Sequence, residues 1–171
     1  SLSPAGVTSS ATYDALGNML STTDAGLLHT AVFRDEWNRI TTTQLPGNAN
    51  VNVTYNGRSL VTAIVDPLGR VTTTQYDAMG RQSVVTNAKG ESQSYTYDVN
   101  GRLSTFTKPK GGQRSYSYSA RGDLTSVTMP DGSVHQYSYL ATGEPSLYTS
   151  PLGHSIATVY DDAGQATLVD Y

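Results

Sequence analysis

A period of 21 residues governs this chain and leaves few folds open to it. The phase is marked by Tyr13, Tyr55, Tyr76, Tyr97, Tyr118, Tyr139 and Tyr160, with Arg34, next to Phe33, filling the gap between the first two. Four residues after each phase stand Gly17, Asn38, Ser59, Gly80, Gly101, Gly122, Gly143 and Gly164. Twelve residues after come Ala25, Pro46, Pro67, Ala88, Pro109, Pro130 and Pro151. Two further on are Leu27, Asn48, Gly69, Gly90, Gly111, Gly132 and Gly153. Three columns in one register make residues 1–171 a single array of about eight units, with no separate catalytic domain. A unit this short cannot bury a core of its own and must lean on its neighbours.

The columns predict what each unit folds into. Tyr76-Asp77-Ala78-Met79-Gly80-Arg81 reads as a tight loop, because Asp bonds its own backbone two residues on and Gly accepts positive φ. Asp66-Pro67-Leu68-Gly69 reads as a second turn, with Pro presetting φ at its second place. Between the turns lie runs of five or six residues such as Arg70-Val71-Thr72-Thr73-Thr74-Gln75 and Gln82-Ser83-Val84-Val85-Thr86, an ordinary strand length. Turn signals about every ten residues give an antiparallel hairpin meander. Composition agrees: Thr (23), Ser (19) and Tyr (12) suit a pleated, half-wet surface, and no helical stripe of apolar residues occurs. The fold class is all-β, a long twisted or spiralling sheet. Residues two apart share a face, so Tyr95 with Tyr97, and Tyr116 with Tyr118, define one side. Ile64, Val85, Phe106, Val127, Tyr148 and Val169 on the return strands extend it into an expected Tyr–aliphatic ladder. The tyrosines of the phase should be more buried than Thr96, Ser117, Ser138 and Val159 beside them.

Tyr13-Asp14-Ala15-Leu16-Gly17-Asn18, Tyr76-Asp77-Ala78-Met79-Gly80-Arg81 and Tyr97-Asp98-Val99-Asn100-Gly101-Arg102-Leu103 resemble the signature of the YD repeats of bacterial Rhs proteins, Tc-toxin shell components and teneurins. The resemblance covers the whole chain. It implies a β-strip that spirals into a hollow shell, enclosing a C-terminal toxin domain in the Rhs and Tc members. It further implies a structural scaffold in a secreted or cell-surface bacterial protein. Three units depart from the signature: the second has Arg34 for Tyr, the third has an early Gly57, and the seventh, Tyr139-Leu140-Ala141-Thr142-Gly143, lacks the Asp. Their loops are expected to differ in turn type while keeping register.

Chemistry is hard to find. Cysteine is absent, which removes disulfides and thiolate chemistry. His29, His135 and His154 lack ligand spacing, so no metal or other cofactor is expected. Asp14, Asp77, Asp98 and Asp161 recur once per unit, as turn residues do, and Asp161-Asp162 reads as an exposed loop. Gly111-Gly112 opens no helix and precedes no Lys-Ser/Thr, so it is no phosphate cradle. A net charge of −3 with 15% charged residues argues against nucleic acid, and no apolar run is long enough to span a membrane. An enzyme is therefore not expected. Two rivals to the scaffold stay open: a fibre of copies paired edge to edge, and a surface that binds carbohydrate or protein. The chain begins and ends near one phase of the unit, without a polar cap. Its end strands, near Val7-Thr8-Ser9-Ser10-Ala11-Thr12 and Gln165-Ala166-Thr167-Leu168-Val169-Asp170, carry little charge. Such edges are expected to pair with further repeats of the same polypeptide or with other copies.

Overall fold

In the computed structural model, residues 9–161 and 164–170 are described; Val7 and Thr8 of the expected first edge strand, Asp162, and the Val169 side chain lie outside what is described. Two compact units divide at Gly90 and Glu91. The first holds β1 (Ser10–Tyr13), β2 (Met19–Thr23), β3 (His29–Arg34), β4 (Ile40–Leu45), β5 (Ala49–Tyr55), β6 (Val61–Val65), β7 (Val71–Tyr76) and β8 (Gln82–Thr86). The second holds β9 (Ser92–Tyr97), β10 (Leu103–Thr107), β11 (Gln113–Tyr118), β12 (Leu124–Thr128), β13 (Val134–Tyr139), β14 (Pro145–Thr149), β15 (Ser155–Tyr160) and β16 (Ala166–Asp170). Within each unit the strands lie in chain order and every neighbouring pair is antiparallel.

Both turns of a repeat are the same object. At the first, Gly80 N–H donates to the Asp77 carbonyl (3.0 Å) and Asp77 N–H to the Arg81 carbonyl (2.8 Å), with Gly80 at φ +84°. At the second, Gly69 N–H donates to the Asp66 carbonyl and Asp66 N–H to the Arg70 carbonyl, with Gly69 at φ +74°. This is a three-residue hairpin loop whose last residue is left-handed, a connection that suits the strand twist. The turn at Pro46–Asn48 departs from it: a short 3₁₀ turn puts two successive residues, Gly47 (φ +78°) and Asn48 (φ +62°), in the left-handed region.

The expectation that the divergent loops would change turn type is overturned. The second unit closes with Asn38 N–H on the Asp35 carbonyl, the third with Ser59 on Asn56, and the seventh with Gly143 on Leu140, all in the common pattern. Asn38 (φ +63°) and Ser59 (φ +60°) take the glycine conformation. The backbone pair of hydrogen bonds suffices, since Leu140 brings no side-chain acceptor at all. The early Gly57 is displaced from the left-handed place, which Ser59 fills.

One feature escaped the sequence reading. In seven hairpins the register slips just before the phase residue, as at Gln75/Tyr76 and Ser117/Tyr118, so that two return-strand residues face one. Pairing across the seam between successive repeats then stops early. Between β6 and β7 only Ala63, Ile64 and Val65 find partners, and between β10 and β11 only Thr105, Phe106 and Thr107. A bulge bends its strand and ends the local ladder, so each seam within a unit opens on the side of the first turn.

The two faces differ in chemistry. Tyr55, Tyr76, Tyr97, Tyr118, Tyr139 and Tyr160 are half-buried, whereas Thr54, Gln75, Thr96, Ser117, Ser138 and Val159 beside them are exposed. Tyr13 is 59% exposed and stands apart from this pattern. The reverse face pairs hydroxyls, as in Thr96–Thr105 (2.7 Å) and Thr12–Ser21 (2.7 Å). Among the described residues only Val32 is buried, at 7% exposure. Within each unit the strands form a single layer of sheet, which leaves its apolar face only half-covered.

Candidate functional site

Among the described residues, no constellation of reactive groups assembles. Among the described residues, no three of His, Cys, Asp and Glu gather as metal ligands. His135 and His154, two places apart in phase, do not meet in any described contact. His135 lies over the Tyr148 ring (5.9 Å between centres) with Nδ1 2.7 Å from its hydroxyl, and His154 sits in an exposed second turn. Surface hollows fall along the repeats, one lined by Trp37, Arg39, Tyr55, Asn56, Gly57 and Ser59. What recurs is a joint between repeats, built from four parts.

The first part is the aspartate. Asp77 Oδ1 accepts from the Met79 and Arg81 amides (2.9 Å each) and Oδ2 from Arg81 Nε (2.7 Å). Asp98 repeats this with Asn100 and Arg102, and Asp35 with Trp37 and Arg39. In the second turn Asp66 does the same with Leu68 and Arg70. The Arg39 guanidinium holds the Asp35 carboxyl below the usual range. At Asp77 the Arg81 amide is the main cause, and at Asp98 desolvation opposes the shift but the Arg102 bonds outweigh it. The sixth loop, which also lacks Asp, reverses the charges: Ser119 caps the turn and Asp123 pairs with Arg121 at 3.0 Å.

These shifts set a pH dependence. A carboxyl whose folded pKa is lowered contributes stability above its unfolded value and loses it as pH falls through the folded one. The thermal midpoint should therefore be level from about pH 7 to about pH 5 and fall below about pH 4, under the ordinary aspartate value of 3.8. Asp98→Asn should shallow that fall. A decline already present between pH 7 and pH 5 would assign the titration to histidine instead.

The second and third parts are the bulge and the tyrosine. Tyr55 Oη donates to the Ile40 carbonyl (2.7 Å), Tyr76 to Val61 (2.7 Å), Tyr118 to Leu103 (2.9 Å) and Tyr160 to Pro145 (2.8 Å). Each acceptor is the first bulge residue of the repeat before. The bulge removes that carbonyl from the ladder, the open seam makes room for a ring, and the phenol supplies the missing donor. The expected ladder is placed differently from this column. Phe106 lies 5.3 Å from the Tyr95 ring and Tyr148 5.5 Å from Tyr137, two residues before the phase tyrosines, while Val127 faces Tyr116 and Ile64 faces Val53. In the second unit Arg34 replaces the tyrosine and turns back to its own Asn38 carbonyl (3.2 Å).

The fourth part is an arginine, which the sequence reading did not single out. Arg39 lies 4.6 Å from the centre of the Tyr55 ring and Arg102 4.6 Å from that of Tyr118, each ring one repeat on. Both also reach the next turn: Arg102 donates to the Ser119 carbonyl (3.0 Å), and Arg39 to Ser59 Oγ (3.1 Å).

The model of the teneurin YD-shell matches residues 30–145. No curated protein sequence is similar to the chain. Among solved structures, the crystal structure of TcdB2–TccC3–Cdc42 superposes with a TM-score of 0.72 at 15% identity, over 94% of this chain and 10% of that one. A Tc holotoxin pore of Photorhabdus luminescens gives 0.71 at 15% identity, over 94% and 10%. At this identity the likeness is one of fold. The chain spans 10% of the length of the structures that it matches.

Proposed function

Because the chain belongs to the teneurin YD-shell family, we propose that it serves as a length of wall, a structural and non-catalytic segment of a YD-repeat shell. The observation that carries this is the joint: within each unit, repeats are fastened to their neighbours by their own side chains, while among the described residues no site within a repeat gathers reactive groups. A sheet one layer thick, with a half-buried aromatic face, suits a partition between two spaces. Its neighbours would be further repeats of the same polypeptide and, by analogy with the shells of Tc complexes, an enclosed toxin segment. The compartment would be outside the cell, in a secreted or surface-exposed bacterial protein. Among the described residues no helix is long and apolar enough to cross a membrane.

Electron cryo-microscopy of the full-length polypeptide tests the reading. These repeats should line a closed cavity; a filament of copies joined at their edge strands would replace the shell with a fibre. The edges give a simpler check. β1 is exposed along its whole length and has neither charge nor proline to deter pairing. The 171-residue chain alone should sediment at micromolar concentration as species larger than a monomer, and a stable compact monomer would reject an edge that requires a partner.

A further inference from the structure

Five repeats lack an arginine five places after the phase residue, where Arg39, Arg81 and Arg102 stand elsewhere; Asn18, Glu144 and Gln165 fill the place in three of them, and Leu60 and Asp123 in the other two. These last two carry one at the third place instead, Arg58 and Arg121. Unlike Arg39 and Arg102, neither is bonded to an acidic residue at the start of its loop, since that place is held by Asn56 and Ser119. Yet both reach forward. Arg58 Nη1 donates to the Ala78 carbonyl (2.8 Å), 20 residues on. Arg121 Nη1 donates to the Ala141 carbonyl and Nη2 to the Leu140 carbonyl (3.2 Å). Arg39 and Arg102, at the fifth place, bond the following turn at Asn56 and Ser119.

We propose that third-place and fifth-place arginines are interchangeable determinants of one interaction, the docking of a repeat's first turn onto the turn of the repeat that follows. The turn that receives the arginine is shaped for it. A Cβ placed on Gly80 would lie 2.9 Å from Arg58 Nη2, one on Gly122 3.7 Å from Arg102 Nη1, and one on Gly143 3.8 Å from Arg121 Nη2. At Gly80 the glycine thus has a second role beside its backbone conformation, clearing space for the guanidinium arriving from the previous repeat, whereas at Gly122 and Gly143 a Cβ would only touch the arginine at ordinary contact distance. Where serine replaces glycine, at Ser59, its hydroxyl bonds the arriving Arg39. Arginine suits the task because its flat fork of donors can satisfy two carbonyls of one turn, as Arg121 does, where lysine offers a point charge. Leu60 lies beside the same spot, its Cδ1 3.4 Å from the position of that Gly80 Cβ, so a longer side chain at residue 60 can reach it.

The test is an exchange of positions in the full-length polypeptide, read by hydrogen exchange over residues 76–81. Arg58→Ala should speed exchange in that following loop roughly tenfold, with residues 56–60 of its own loop little changed. Adding Leu60→Arg should restore most of the protection. Arg121→Gln, which keeps a long polar side chain, should likewise loosen residues 139–144. Faster exchange confined to the mutated loop, or no recovery in the double variant, would overturn the interchange and leave each arginine a local turn residue.

Discussion

Gly80→Val should destabilise the sheet by about 2–3 kcal/mol, the largest effect expected of a single turn substitution. Two costs combine. Gly80 sits at φ +84°, where a β-branched side chain is a genuine outlier. Its new Cβ would also meet Arg58 at 2.9 Å and displace the guanidinium from the Ala78 carbonyl. Gly69 separates the two. It has φ +74° but nothing within 4 Å of an added Cβ, so Gly69→Ala should cost only about 1 kcal/mol from strain. Denaturant midpoints of the two alanine variants check the additivity. Equal losses at Gly69→Ala and Gly80→Ala would mean that the arginine yields without penalty.

Removing the joint's tyrosine should cost nearly as much. Tyr118→Ala deletes a half-buried ring, its contact with Arg102 and its bond to the Leu103 carbonyl, and is expected to cost about 2–3 kcal/mol. Tyr118→Phe isolates the hydroxyl and should cost about 1 kcal/mol, because the bulge carbonyl then depends on water. Burial pushes the Tyr118 phenol up, so the hydroxyl remains a donor well past neutral pH. Calorimetry on the two variants decides the matter. If phenylalanine is as costly as alanine, the hydrogen bond dominates; if it is silent, the ring alone fills the seam.

The period, the two turns and the alternation of faces were legible because each depends on a residue and its near neighbours. Gly101 must be left-handed for its loop to close, and Tyr97 must share a face with Tyr95, whatever surrounds them. The joint was not legible, because it depends on register between strands. The bulge does leave a trace in Thr41, Thr62, Ser83, Ser104, Thr125 and Ser146, six of the seven residues added to the return strands (Leu20 is the seventh), but nothing in their composition says that the ladder slips there. Without the slip, Tyr76 and the Val61 carbonyl, 15 residues apart, have no reason to meet. The expectation of altered loops failed for a related reason. The Asp signature stabilises a turn whose backbone bonds form without it, as Leu140 shows.

The direction of the tyrosine bond bears on how such a chain is made. Each phenol donates to a carbonyl that precedes it in sequence, so when Tyr76 leaves the ribosome its partner at Val61 has already emerged. A growing chain can therefore lay down one hairpin at a time on a finished template, closing loops of about 20 residues whose entropic cost is small. No strand within a unit has to wait for a distant one, which keeps contact order low for an all-β protein and shortens the time that an unpaired edge is exposed to aggregation during synthesis.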